Sequence, residues 1–164
     1  MKSLLLIRHA KSSWDNPSQK DFDRPLNDRG NHDAPAMAER LLNRKVEIDA
    51  FISSTAKRAL STAKYFAKAY NISEHDIIKA SELYEAPYDV YFQVIKNIDN
   101  AFDTVAIFAH NPGITTFVNN LTQTNIDNMP TCGIFAVKTD IKKWNDFEDA
   151  KKEFWFVDYP KMKG

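Results

Sequence analysis

Reactive and cationic side chains recur directly after the apolar runs of this 164-residue chain. Arg8 and His9 follow the first run, Arg58 lies a few residues after the second, and His110 ends a later one. An unprotonated imidazole nitrogen can attack phosphorus, and a second imidazole can donate a hydrogen bond to a phosphoryl oxygen. A guanidinium binds phosphoryl oxygens through two parallel hydrogen bonds and stays charged at any working pH. These two arginines and two histidines, if brought together, would suit phosphoryl transfer.

The order of apolar runs and amphipathic segments predicts the elements that would bring these side chains together. Residues 4–7 and 104–109 are apolar runs typical of strands buried on both faces, the first at the centre of a parallel sheet. Strands alternate with helices, which favours an α/β fold of three layers, α/β/α, around a mostly parallel sheet. Such folds bind ligands beyond the carboxyl ends of their strands. We therefore expect the two arginines and two histidines to converge there.

Capping residues and helical spacing define the helices of this fold. Asn27 suits the N-cap of the first helix, and Pro35 should kink that helix or mark a later start. The clearest helix has apolar residues at helical spacing over residues 56–70 and should stop near Asn71. Residues 53–55 offer three successive capping candidates for it.

Further strands and one loop complete the prediction. Pro87 fits the first turn of a third helix. Residues 11–20 are polar and contain a proline, which predicts a loop over the site, with Trp14 packing the loop down. The remaining predicted strands cover residues 48–53, 77–80, 134–137 and 154–157.

Each candidate side chain also has a plainer interpretation. Arg8 and His9 could be solvated residues that cap a strand, and Arg58 could be an exposed arginine without a role. However, Arg58 falls in the first turn of a predicted helix, where a cation opposes the helix dipole. A guanidinium beside the unpaired amides of that turn would make a phosphate cradle. In the loop, residues 11–13 could line an anion pocket or simply be solvated.

Composition excludes several classes of partner. The chain has 22 basic and 22 acidic side chains, so no overall field attracts nucleic acid or anionic lipid. We expect neither a nucleic-acid nor a membrane partner. One cysteine, Cys132, and no signal-peptide pattern predict a reducing, cytoplasmic compartment. The length predicts one domain spanning residues 1–164. The sequence does not determine the oligomeric state, and a monomer is our expectation.

Metal and nucleotide chemistry fit the sequence poorly. The four histidines lack the paired spacing of metal ligands, and the one cysteine has no partner. Neither a G-x-x-x-x-G-K nor a G-x-G-x-x-G motif is present. We therefore expect a metal-independent site that needs no cofactor. His32 and His75 are predicted to be surface histidines, and Cys132 a small buried hydrophobe.

Six blocks of the sequence resemble the histidine phosphatase superfamily, which shares an R-H-G signature with phosphoglycerate mutases and histidine acid phosphatases. The resemblance is close to its small SixA-like branch, the phosphohistidine phosphatases. It implies a phosphoglycerate mutase-like fold, with His9 as the phosphorylated nucleophile and Arg8, Arg58 and His110 as the phosphate pocket. The acidic residue after the third strand would be the proton donor. The blocks are residues 6–14, 23–30, 53–59, 83–86, 109–113 and 129–133.

Departures from the family pattern leave two points open. Ala10 replaces the glycine of the common signature, and Asp15 stands where mutase-like relatives often have asparagine. Glu85 fits the family's Leu-x-Glu pattern best, but Glu82 lies close enough to compete as the proton donor. The chain is also short for a mutase and lacks the insertions that enclose a sugar phosphate. Hydrolysis is therefore favoured over mutase activity.

The resemblance and the residues together predict a phosphohistidine phosphatase. The expected substrate is a phosphohistidine on a protein such as a phosphorelay domain, hydrolysed through a covalent intermediate at His9. One alternative is a phosphatase of small phosphomonoesters. Another, from a different class, is a non-catalytic phosphate- or phosphohistidine-binding module, although the intact His9 beside two arginines counts against it.

Overall fold

A computed structural model describes residues 1–162, which fold into a six-stranded sheet with helices on both faces. Short 3-10 turns at Asp21–Asp23, Glu74–Asp76, Ser81–Leu83 and Trp144–Asp146 lie in the connections. The helices are α1 (Asp28–Asn43), α2 (Lys57–Ala69), α3 (Tyr88–Lys96) and α4 (Gly113–Val118). The strands are β1 (Lys2–Arg8), β2 (Ala50–Ser53), β3 (Ile78–Lys79), β4 (Thr104–Ala109), β5 (Ile134–Thr139) and β6 (Lys152–Asp158).

The sheet has the strand order β3-β2-β4-β1-β5-β6 and places β1 and β4 at its centre. The four strands from β3 to β1 are parallel, whereas β5 runs antiparallel to both of its neighbours. The predicted α/β fold with a mostly parallel sheet is confirmed. The purely parallel surroundings expected for the first strand are wrong on one side, where β1 pairs with antiparallel β5.

Alternate residues of β1 supply the two hydrophobic cores. Leu4 and Leu6 belong to the core beneath α3 and α4, and Leu5 and Ile7 belong to the core beneath α1 and α2. All four side chains are fully buried, so the apolar run reflects a strand covered on both faces. Packing on both faces holds β1, and therefore its last residues, in a fixed position.

The helix signals are mostly confirmed. Asn27 caps α1 by accepting a hydrogen bond from the Gly30 amide, and α1 continues through exposed Pro35 without a later start. Asn71 follows α2 in the left-handed conformation expected of a stop. None of the predicted serine or threonine caps begins α2, because Ala56 holds the N-cap position without a side-chain bond.

Smaller boundary differences concern the later elements. Pro87 lies at the N-cap of α3 rather than in its first turn. The strand predicted over 77–80 keeps only Ile78–Lys79, and both strands of the last hairpin extend beyond their predicted ends. Within residues 1–162, no helix combines the length and the apolar character needed to cross a membrane.

Candidate active site

The ends of β1 and β4 bring two histidines side by side. The strands are parallel neighbours that pair Arg8 with Ala109, so the next residue of each strand is a histidine at the same edge. The ring centroids of His9 and His110 lie 5.1 Å apart. Arg58 joins them from the first turn of α2, and the Thr62 hydroxyl links the amide of Ala10 to the carbonyl of Arg58. The four residues therefore converge where the topology predicts.

His9 is held in one tautomer. Its Nδ1 donates a hydrogen bond to the carbonyl oxygen of Ala10 at 2.8 Å, and its Nε2 faces the Nε–H of Arg58 at 3.4 Å. A carbonyl only accepts and a guanidinium only donates, so the proton is on Nδ1 and the lone pair is on Nε2. Burial above all, together with the nearby His110, Arg58 and Arg8, lowers the pKa of His9 to about 3, against the opposing effect of the bond to Ala10. The imidazole is therefore neutral, as a nucleophile requires.

Arg8 and Arg58 differ in their contacts and both line a cavity beside His9. Arg8 donates from Nη1 to the carbonyl oxygen of Met129 at 2.9 Å, and its buried Nε has no partner among residues 1–162. Burial and the charge of Arg58 both lower the pKa of Arg8. Arg58 is only 6% exposed, which contradicts the interpretation of it as an exposed arginine.

His110 has one nitrogen bound and one without a partner. Its Nε2 lies 2.8 Å from Oγ of Ser54, whereas its buried Nδ1 has no partner in the described part of the chain. Burial, followed by the charge of Arg58, lowers the pKa of His110 to about 3. Unpaired buried polar atoms are costly, so an oxygen-rich ligand that reaches Arg8 Nε and His110 Nδ1 would be stabilised there.

These side chains line a polar cavity of about 180 Å³, the phosphate-sized cavity. Its wall carries four cationic side chains and two neutral imidazoles, so the cavity suits a small anion. Of residues 11–13, Lys11 and Ser12 lie in the wall, as one of the two interpretations of those residues expected. The lining residues are Arg8, His9, Lys11, Ser12, Trp14, Arg24, Arg58, His110, Asn111 and Thr131.

Trp14 does not pack the loop down as expected. Its side chain is 73% exposed, and its ring centre lies 3.5 Å from the guanidinium carbon of Arg24. Arg24 is in turn bound to the hydroxyl of Ser12. The packing prediction failed because a stacked guanidinium supports the indole from one side and leaves the other side in solvent.

The two candidate acids lie in different grooves. Exposed Glu85 lines a groove of about 390 Å³ that shares His110 and Asn111 with the phosphate-sized cavity. Glu82 lines a separate groove formed with β3 and α3, which contains none of the four converging residues. Glu85 also has a positive φ of 56°, a conformation that stores strain in a non-glycine residue. The placement favours Glu85 over Glu82.

Sequence reasoning missed Asp21, Arg24, Ser54 and Tyr84. The carboxylate of Asp21 contacts Arg24 at 3.1 Å, Arg58 at 3.1 Å and the hydroxyl of Tyr84 at 2.6 Å. The one available signal was the spacing of three between Asp21 and Arg24, which permits a local ion pair. The contacts of Asp21 with Arg58 and Tyr84 join distant parts of the chain, so no local sequence pattern predicts them.

The other two histidines and the cysteine lie as predicted. His32 and His75 are exposed, and Cys132 is buried, which raises the pKa of its thiol. Across residues 1–162, no three histidine, cysteine, aspartate or glutamate side chains are grouped so that they could hold a metal ion.

Comparison with known proteins places this chain in a family. The sequence profile of the histidine phosphatase superfamily (branch 1) matches residues 4–94, more than half of the chain. The chain belongs to the histidine phosphatase superfamily. This family assignment supports a hydrolase, as the resemblance implied. Over 63 residues the chain is also 41% identical to an uncharacterized chloroplastic protein of Arabidopsis thaliana, At3g52155. That alignment covers 38% of this chain and 29% of the Arabidopsis protein.

Solved structures share the histidine phosphatase fold along nearly the whole chain. A protein assigned as phosphohistidine phosphatase SixA from Agrobacterium tumefaciens is 25% identical, with a TM-score of 0.81 and coverage of 97% of this chain and 98% of that one. A protein histidine phosphatase SixA complexed with tungstate is 22% identical, with a TM-score of 0.80 and coverages of 96% and 97%. A mycobacterial glucosyl-3-phosphoglycerate phosphatase is 13% identical, with a TM-score of 0.66 and coverages of 94% and 97%.

Proposed function

We propose that this chain is a phosphohistidine phosphatase that hydrolyses a phosphoryl group from a protein histidine through a covalent intermediate at His9. One observation carries the proposal. The unprotonated Nε2 of His9 faces a polar cavity that also contains Arg8, Arg58 and His110. The similarity to the SixA structures supports this substrate class.

The proposed reaction has two displacements at phosphorus. The lone pair on Nε2 of His9 attacks phosphorus, a P–N bond forms, and the bond to the leaving imidazole breaks. Arg8 and Arg58 hold the phosphoryl oxygens, and His110 faces a third oxygen. Water then attacks phosphorus, the P–N bond to His9 breaks, and inorganic phosphate leaves. We propose that Glu85 donates a proton to the leaving group and accepts one from the attacking water.

A second candidate is a phosphatase of small phosphomonoesters. The placement of Glu85 in the groove that joins the phosphate-sized cavity favours it. An alkoxide leaves poorly without a proton donor, whereas imidazole leaves more readily, so a placed acid matters most for esters. The mycobacterial glucosyl-3-phosphoglycerate phosphatase contributes only the fold to this argument.

We propose that residues 1–164 form one histidine phosphatase domain, that it works without a metal ion, and that it acts in a reducing, cytoplasmic compartment. Arg8 and Arg58 supply the positive charge that a metal ion provides in other phosphatases.

Turnover on defined substrates tests the function. The purified protein should be assayed with a phosphohistidine peptide and with aryl, alkyl and sugar phosphates, and we expect the highest kcat/KM with phosphohistidine. Higher kcat/KM with one alkyl or sugar phosphate would establish the second candidate instead. Tungstate binding by a folded protein that turns over none of these substrates would establish a binding module.

A further inference from the structure

Asp21 lies in the 3-10 turn before α1 and contacts Arg24 and Arg58, which both line the cavity. Its Oδ1 accepts a hydrogen bond from Nε of Arg24 at 3.1 Å. Its Oδ2 accepts from Nη2 of Arg58 at 3.1 Å and from the hydroxyl of Tyr84 at 2.6 Å. Its backbone carbonyl oxygen accepts from Nη1 of Arg58 at 2.7 Å. Asp21 therefore binds two nitrogens of Arg58 and one nitrogen of Arg24.

These contacts leave one particular edge of Arg58 for a ligand. A guanidinium has five N–H groups arranged along fixed edges. Asp21 binds the edge formed by Nη1 and Nη2, and Nε points instead toward Nε2 of His9 at 3.4 Å. The edge formed by Nε and the second hydrogen of Nη2 is thus directed at the imidazole. A phosphoryl group on His9 would meet this edge.

We propose that Asp21 is a positioning residue, which fixes the rotation of the Arg58 guanidinium so that its Nε edge faces the phosphoryl group on His9. This inference rests on the proposed function, because it assigns Asp21 a role in that reaction. Asp21 acts through Arg58 and does not touch the phosphoryl group. It is absent from the lining of the phosphate-sized cavity among the described residues.

Charge and exposure argue against two simpler roles for Asp21. Its side chain is 44% exposed, and exposed ion pairs contribute little to stability, so folding alone gives a weak reason for the contact. A carboxylate beside two arginines also opposes the binding of a phosphate dianion. That electrostatic disadvantage is offset if Asp21 holds Arg58 in its binding orientation. Without Asp21, the long flexible side chain of Arg58 would lose rotamer freedom each time it binds phosphate.

Tyr84 connects Asp21 to the part of the site that contains His110. The Tyr84 hydroxyl bond, followed by the charge of Arg58 and the hydrogen bonds from Arg58 and Arg24, lowers the pKa of Asp21 to about 2, so the carboxylate stays ionised during any assay near neutral pH. The Tyr84 ring lies edge-on to Phe22 at 5.1 Å and to His110 at 5.7 Å. Tyr84 also precedes Glu85. The Asp21 contact therefore joins the loop before α1 to the segment that carries Glu85.

The substitution Asp21→Asn tests the proposal, with Asp23→Asn as the matched control. Asp23 is exposed in the same turn and contributes the same charge, but it forms no ion pair among the described residues, whereas Asp21 pairs with both Arg24 and Arg58. The measurements are kcat and KM on the substrates above, the inhibition constant of tungstate, and Tm. We expect Asp21→Asn to lower kcat about 10-fold or more and to weaken tungstate inhibition, with Tm unchanged. Asp23→Asn should leave all of these values near the wild type.

A double variant separates positioning from other effects. In an Arg58→Ala background, Asp21→Asn should have little further effect on kcat, because its partner is gone. Tyr84→Phe removes one hydrogen bond to Asp21 without a change of charge, and it should lower kcat in the same direction but less. This variant decides the question if Asp21→Asn does not fold.

The outcomes that overturn the proposal are distinct from failure of the proposed function. Tighter tungstate inhibition with kcat unchanged would show that Asp21 only opposes the anion. Unchanged kcat and tungstate inhibition, with or without a lower Tm, would make Asp21 structural. A wild type that turns over no substrate would end the proposed function, and the effect of Asp21→Asn on the tungstate dissociation constant would still decide the orientation of Arg58.

Discussion

Nε of Arg58 lies 3.4 Å from Nε2 of His9, and its hydrogen points at the lone pair of that nitrogen. The bond from Nδ1 of His9 to the carbonyl of Ala10 fixes the proton on the far side of the ring. The nitrogen that would attack phosphorus is therefore next to the cation that would bind the phosphoryl oxygens. When an incoming phosphorus bonds to Nε2 of His9, the Nε–H of Arg58 loses that acceptor. It can then donate to a phosphoryl oxygen instead.

Arg58→Ala should lower kcat/KM on the order of 100-fold or more, as expected when a preorganised charge on the transferring group is lost. The control is Arg29→Ala in α1, which removes a side chain that is 47% exposed and pairs with Asp33. Steady-state kinetics of both variants measure the effect. A loss below about tenfold for Arg58→Ala would remove Arg58 from the mechanism.

The stability of the fold should decrease between pH 7 and pH 5 because of the two site histidines. Burial lowers the pKa of both His9 and His110 from 6.5 to about 3. Between those values the unfolded chain binds protons that the folded chain does not, so the free energy of unfolding falls as the pH falls. The expected loss is on the order of 2 kcal/mol for each histidine, measured by urea denaturation in phosphate-free buffer.

Substitution of single histidines checks the source of that pH dependence. His110→Gln should remove about half of the loss, since one of the two groups no longer titrates. His75→Gln should leave it unchanged, because His75 is exposed. An identical pH dependence in His110→Gln would show that other groups cause the loss.

The fold was predictable from sequence because its central strands have unambiguous patterns. Residues 4–7 and 104–109 are nearly continuous apolar runs, the pattern typical of strands covered by helices on both sides. The antiparallel pairing of β5 with β1 was not predictable, since a short apolar run does not indicate the direction of its neighbour. The extent of β3 was overestimated because edge pairing, rather than residue type, limits it to two residues.

The site was only partly predictable, for a physical reason. Arg8 ends buried β1, His9 and His110 follow β1 and β4, and topology alone brings the ends of parallel neighbours together. Asp21 and Tyr84 meet in a loop contact whose partners are far apart in the chain, and no periodicity encodes such a contact. The choice between Glu82 and Glu85 likewise needed the grooves, because the two residues are only three positions apart in the sequence.

Glu85→Gln should slow the hydrolysis of alkyl phosphates severely and that of aryl phosphates or phosphohistidine much less. A general acid matters in proportion to the basicity of the leaving group, and glutamine keeps the shape without the proton. Single-turnover rates across substrates of graded leaving group measure this, with Glu82→Gln as the control. A uniform effect across the series, or a graded effect at Glu82 instead, would remove Glu85 from the mechanism.

Activity should survive exhaustive chelation. Arg8 and Arg58 already supply positive charge beside His9, so the proposed transfer needs no Lewis acid. The assay compares kcat before and after treatment with a chelator and dialysis, followed by addition of magnesium or zinc. Loss of activity that either ion restores would contradict the proposed metal independence.

If the phosphoryl group passes through His9, the covalent intermediate can be trapped on that residue. The protein should be mixed with a phosphate-labelled substrate, quenched with alkali within one turnover, and digested for peptide mass spectrometry, since phosphohistidine is labile to acid. We expect label on the peptide that contains His9, and none in His9→Ala, which should fold but have no turnover. Label on another residue, or near-normal turnover by folded His9→Ala, would contradict the account.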